Sequence, residues 1–100
     1  MIHEIVVDNG EIILRLHGKI YVDEAALIKE KLFPFIDRGY SQFVVHLSDV
    51  TYIDSSGLGM LVAVQKKARQ IGGGVKLVGL QGGVLELFEL TRLTSVFERE

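Results

Sequence analysis

Cysteine is absent from this 100-residue chain, which excludes disulfides, thiolate nucleophiles and zinc–thiolate sites. Long hydrophobic runs are missing too: none approaches the roughly 20 apolar residues that cross a bilayer. Met1-Ile2-His3-Glu4 lacks the basic-then-apolar pattern of a secretion signal. Nor is there an excess of positive charge. The 11 Lys and Arg are outnumbered by 13 Asp and Glu, for a net charge of −2, and the cations are scattered, which argues against a nucleic-acid surface. What remains is 48% hydrophobic and 24% charged, the balance of a globular chain with one domain over residues 1–100. A soluble, cytoplasmic protein without membrane insertion is the expectation.

Catalytic and cofactor patterns are equally scarce. Gly72-Gly73-Gly74 and Gly82-Gly83 carry neither the Lys-Ser/Thr of a phosphate loop nor a spaced dinucleotide fingerprint, and read as turns. No Gly-x-Ser-x-Gly elbow surrounds Ser55 or Ser56. His3, His17 and His46 fall on separate expected strands, and two histidines without a third ligand describe a solvated face rather than a zinc site. No enzyme activity, cofactor or metal is therefore expected.

Taken in order, Ile2 to Val7 and Glu11 to His17 read as strands joined by Asp8-Asn9-Gly10, a hairpin turn because Asn and Gly tolerate positive φ. Gly18 is expected to break the second strand. Asp23 is expected to cap a helix from Glu24 toward Arg38, with a stripe of Ala25, Ile28, Leu32 and Phe35 or Ile36. Pro34 falls inside that pattern, which predicts a kink or a restart as a second short helix. Phe43 to Ser48 and Val75 to Val78 read as further strands, a helix carries Val84, Leu87, Phe88 and Thr91, and Ser95-Val96-Phe97 is the stub of a last strand before a charged end. The order β-β-α-β-α-β-α-β predicts an α/β fold: a four- to five-stranded mixed sheet, an antiparallel hairpin followed by parallel strands joined by crossovers. Arg15, His17, His46 and Lys76 recur on one side of successive strands, so the helices should crowd mainly the other face.

Between strand and helix stands Tyr52-Ile53-Asp54-Ser55-Ser56-Gly57-Leu58-Gly59. Leu58, Leu61, Val64, Ala68 and Ile71 repeat at helical spacing from Leu58 to Ile71. Asp54 or Ser55 suits the N-cap, which satisfies orphan N–H groups, and leaves Ser56 over. Ser56, Gly59, Met60 and Ala63 share one helix face, with Lys67 a turn further. That face is small and apolar, suited to close approach by another protein. The alternative is that Gly59 and Ala63 pack beneath a neighbouring helix and Met60 joins the core.

Asp54-Ser55-Ser56-Gly57-Leu58-Gly59, after a buried strand and before an apolar helix, resembles the signature of the STAS domain family. The likeness extends over the opening hairpin, the Gly18-Lys19-Ile20 turn, Val78-Gly79 and the helix around Val84. It implies an anti-sigma factor antagonist with Ser56 as phosphoacceptor. Its partner would be an anti-sigma factor serine kinase, bound when Ser56 is free and released by phosphorylation, with a serine phosphatase reversing the mark. Asp54, Ser55, Gly57, Leu58, Gly59, Met60 and Ala63 would be the partner-binding residues. The alternative within the family is a scaffold or regulatory subunit of a stress-signalling particle or membrane transport complex. Two departures from the family pattern bear on this choice. Tyr21 stands where relatives commonly carry Asp, and many relatives continue into another helix beyond the last strand, whereas the sequence stops at Glu100.

Overall fold

The computed structural model describes residues 3–100. Strand β1 (His3–Asp8) and strand β2 (Glu11–Ile20) form an antiparallel pair in which Asp8 faces Glu11. Asn9 at φ 50° and Gly10 at φ 79° make the two-residue turn between them, the backbone that Asn-Gly adopts most readily. The expected first residue of that strand, Ile2, lies outside the described residues. Gly18 does not end β2. It sits at φ 79° among register shifts at Arg15/His17 and Gly18/Lys19, so the strand bulges and continues to Ile20 rather than breaking.

Helix α1 (Val22–Asp37) starts earlier than the sequence suggests. Tyr21 is the N-cap, and the Glu24 carboxylate accepts its N–H at 2.8 Å, leaving Asp23 in the first turn, where its charge suits the helix dipole. Pro34 neither breaks nor restarts the helix, which runs unbroken to Asp37. The carbonyl deprived of its donor belongs to Glu30, which is exposed like Pro34, so water can take the place of the lost bond. Ala25, Ile28, Leu32 and Ile36 form the buried stripe; Phe35 instead packs at its margin, edge-on to Tyr40.

Strand β3 (Gln42–Ile53) is twice as long as expected. Phe43, Val45 and Leu47 point into the core, then the alternation slips and Val50 and Ile53 do so. The slip answers the bulges of β2, so the two strands stay paired as far as Ile20 and Ile53. Helix α2 (Ser55–Gln70), strand β4 (Gly74–Val78), helix α3 (Gly82–Leu90) and strand β5 (Glu98–Arg99) follow. The last strand is Glu98–Arg99 beside Lys76 and Leu77, not the expected Ser95–Phe97; Phe97 is spent on the core, edge-on to Phe88. Thr91 is the C-cap of α3 and its hydroxyl donates to the Leu87 carbonyl at 2.7 Å.

The sheet order β1-β2-β3-β4-β5 follows the chain, antiparallel only in the first pair. Each crossover therefore steps one way, and three helices gather on one face. Ile12, Leu14, Leu16, Phe43, Val45, Leu47, Val75 and Leu77 are buried toward them. Ile13, Arg15, Val44, His46 and Lys76 occupy the opposite, partly open face, where Lys76 pairs with Glu100 at 2.9 Å.

One polar side chain is built into the core. Gln65 is 4% exposed; its amide accepts from the Val75 N–H and donates to the Val96 carbonyl, both at 2.6 Å. It thus ties α2 to β4 and to the segment before β5. Gln65→Leu orphans both backbone groups at about 1–3 kcal/mol each, and urea unfolding should show a loss of at least about 1 kcal/mol; an unchanged midpoint would show the bonds to be dispensable.

His3 is buried, and its Nδ1 has no hydrogen-bond partner among the described residues. Burial, then the charge of Lys31, hold its pKa below the ordinary 6.5. The unfolded chain therefore takes up a proton near pH 6.5 that the folded chain refuses. Stability is whole above that pH and falls as the pH drops toward the folded value. Thermal melts from pH 7.5 to 5 should show this loss, and His3→Phe should flatten its share of it.

Candidate functional site

Strand β3 hands over to α2 at Asp54, whose backbone is extended and whose N–H donates to the Ile20 carbonyl at 3.2 Å. Its carboxylate accepts the N–H groups of Ser56 at 2.9 Å and Gly57 at 3.1 Å. Asp54 is thus the N-cap, and neither serine hydroxyl takes part in it. No acidic residue follows in the first turn, so this one carboxylate faces the positive pole of the helix.

Gly57 is buried. A Cβ there would overlap Ile53 Cγ1 and come within 3.3 Å of Ile20 Cγ2, so glycine is what lets the first turn of α2 rest on the paired ends of β2 and β3. Gly59 is the opposite case. It is exposed, and a Cβ would meet nothing within 4 Å; its small size serves nothing inside this chain.

Ile20 pairs with Ile53, and α1 and α2 each start two residues later, so both helix N-termini lie side by side. Between them runs a groove of about 370 Å³ lined by Val22, Ala25, Ala26, Lys29, Ser56, Gly59 and Met60. Ser56 is half-buried in it, while Ser55 is exposed. Tyr21, the residue before Val22, packs ring against ring with Tyr52, the two 45% and 46% exposed and their centroids 5.3 Å apart. A second hollow of about 220 Å³ lies between the end of β3 and α3, lined by Thr51, Tyr52, Ile53, Gly83, Val84 and Leu87.

The expected outward face of α2 is only partly outward. Ser56 and Ala63 are half-buried and Gly59 and Lys67 exposed, but Met60 is 3% exposed and belongs to the core. The cause is α1, which packs against α2 and closes over that turn. Leu58 is buried with the stripe that includes Leu61, Val64 and Ala68. Gly57, Leu58 and Met60 therefore shape the site from beneath rather than offering contact surface. Ile71, expected in the stripe, is the exposed C-cap. The α1 wall of Val22, Ala25, Ala26 and Lys29 was missed; Val22 is 59% exposed, and the available signal was an apolar residue lying off the buried stripe of an amphipathic helix.

Asp54→Ala removes the cap and should cost about 1 kcal/mol, whereas Asp54→Asn or Asp54→Ser should recover most of it. Equal melting points for the Ala and Asn variants would show that the carboxylate has another task.

The STAS domain family model matches residues 3–99. The chain is 33% identical over 91 residues to the anti-sigma-B factor antagonist of Bacillus subtilis (strain 168), covering 91% of this chain and 83% of that protein. It is 32% identical over 91 residues to the anti-sigma-B factor antagonist of Listeria monocytogenes, covering 91% and 80%. The crystal structure of the Thermotoga maritima protein TM1081 superposes with a TM-score of 0.90 at 28% identity, over 97% of this chain and 84% of that one. SpoIIAA, solved in unphosphorylated and phosphorylated forms, has TM-scores of 0.82 and 0.81 over 98% of this chain and 86% and 90% of the two SpoIIAA chains. At 16% and 17% identity that likeness speaks to the fold.

Proposed function

The chain belongs to the STAS domain family, and from that premise we propose that it is an anti-sigma factor antagonist switched by phosphorylation of Ser56. Unmodified, it captures an anti-sigma factor serine kinase through the groove between α1 and α2, and so frees a sigma factor. The kinase moves the γ-phosphoryl of ATP to the Ser56 oxygen; the hydroxyl proton passes to a base of the kinase and ADP leaves. A serine phosphatase restores the hydroxyl by hydrolysis. The chain itself is a binding module, without catalytic residues of its own, and acts on transcription through its partner.

A single observation carries this reading. Ser56 lines the groove, and its hydroxyl is free of the cap because Asp54 already satisfies the local N–H groups. Phosphate there adds about −1.5 to −2 of charge at neutral pH. The N-terminal pole of α2 welcomes that charge, so the fold survives and the contact surface alone is altered. A partner seated over Ser56 and Gly59 must then desolvate a dianion, which disfavours the complex. Partner contact falls to Ser55, Ser56, Gly59 and Ala63, with Asp54, Gly57, Leu58 and Met60 holding them in place.

Incubation with the cognate anti-sigma kinase and ATP should add one phosphate by intact mass, and none to Ser56→Ala. Ser56→Asp should weaken kinase capture at least about tenfold, a change of about 1.4 kcal/mol. Modification at Ser55 instead, or an unchanged affinity for Ser56→Asp, would refute the switch. Copurification of both forms with a large particle or a transporter ATPase, and with no kinase, would favour a scaffold role.

A further inference from the structure

The cation on the far wall of the groove has no carboxylate to hold it. Among the described residues the ion pairs are Arg15–Glu4 and Lys76–Glu100; Lys29 is in neither. Its ammonium lies 5.9 Å from the centre of the Phe33 ring, and Lys67, from the other helix, lies 5.0 Å from the centre of the same ring. Lys29 thus shares its ring with a second ammonium and is the more distant of the two. Lys29 also lines the groove together with Ser56. Helical side chains lean toward the N-terminus of their helix, and for α1 that direction leads back to the turn of Ala25 and Ala26, the wall that faces Ser56 and Gly59. Ala25, Ala26 and Gly59 are small, and a Cβ on Gly59 would meet nothing within 4 Å, so the groove between Ser56 and Lys29 is open.

From this geometry we infer that Lys29 is the phosphate-binding residue of the site: it leaves Phe33 and pairs across the groove with a phosphomonoester dianion on Ser56. The flexible four-carbon stem permits the swing, the positive pole of α2 adds to the attraction although Asp54 keeps its N–H groups, and Phe33 is left to Lys67. Phosphorylation then does more than add charge to the surface. It bridges α1 and α2 and fills the cleft that a partner would enter. The inference rests on Ser56 as the phosphoacceptor, and its test is arranged to need no kinase.

Phosphoserine is placed at position 56 by genetic encoding, and its phosphate is titrated by phosphorus NMR in four backgrounds: native, Lys29→Gln, Lys29→Arg and Lys67→Gln. The second phosphate pKa is about 6 when unperturbed. A nearby cation lowers it, so the native protein should titrate at least about half a unit below Lys29→Gln. Lys29→Arg should restore the lower value, and Lys67→Gln should keep it. The difference should vanish in 1 M salt, where the screening length is about 3 Å. Equal phosphate pKa values in the native and Lys29→Gln backgrounds would overturn the inference, as would an equal rise on Lys67→Gln. Because the phosphate is installed by synthesis, a kinase that ignores Ser56 would sink the switch and leave this result untouched.

Discussion

The pairing of Ile20 with Ile53 is the constraint on which the site depends. It joins the ends of two parallel strands, and the Asp54 N–H seals the join by donating to the Ile20 carbonyl. Each strand feeds a helix within two residues, so both helix starts are forced into contact. Gly57 seats the first turn of α2 on the joined strand ends, since any Cβ would strike Ile53. A groove between two helix N-termini is thus a consequence of sheet register. In open α/β sheets the carboxyl ends of parallel strands are where such crevices arise. This chain places a serine rather than a ligand-binding loop in the crevice.

Much of this was written in the sequence because local chemistry and global fold agree. Asn9-Gly10 turned where it should, the strands that alternate are buried on one side, and Asp54 capped α2. The misreadings share one cause, which is that a long-range partner overrode a local signal. Gly18 reads as a stop, but β3 continues beside it and carries β2 through a bulge. Ser48-Asp49 reads as the end of a strand, yet the hydrogen bonds of β2 hold the backbone extended to Ile53. Pro34 reads as a break, yet it falls on the exposed side of a helix whose other side is bound to the sheet.

Met60 is the instructive failure. Periodicity correctly placed it on a face with Ser56 and Gly59, but cannot say whether a neighbouring helix covers that face. Half of it is covered: Met60 goes to the core and Gly59 stays out. Gln65 was invisible for the complementary reason. A single amide on a helix has no period, and only the positions of the Val75 N–H and Val96 carbonyl reveal why it is buried.

Burial also decides which hydroxyl can work a switch. Moving a complex from nearly full to nearly empty takes about 5.5 kcal/mol of differential binding. A charge on the rim of an interface changes affinity by about 1 kcal/mol or less, because water and salt screen it. A dianion that must lose its water inside a contact costs several times more. Ser55 is exposed, so a phosphate there would sit on the rim in solvent. Ser56 is half-buried between Val22, Ala26 and Met60, where an approaching surface cannot avoid it. For the switch proposed above, half-burial favours Ser56 over the exposed Ser55.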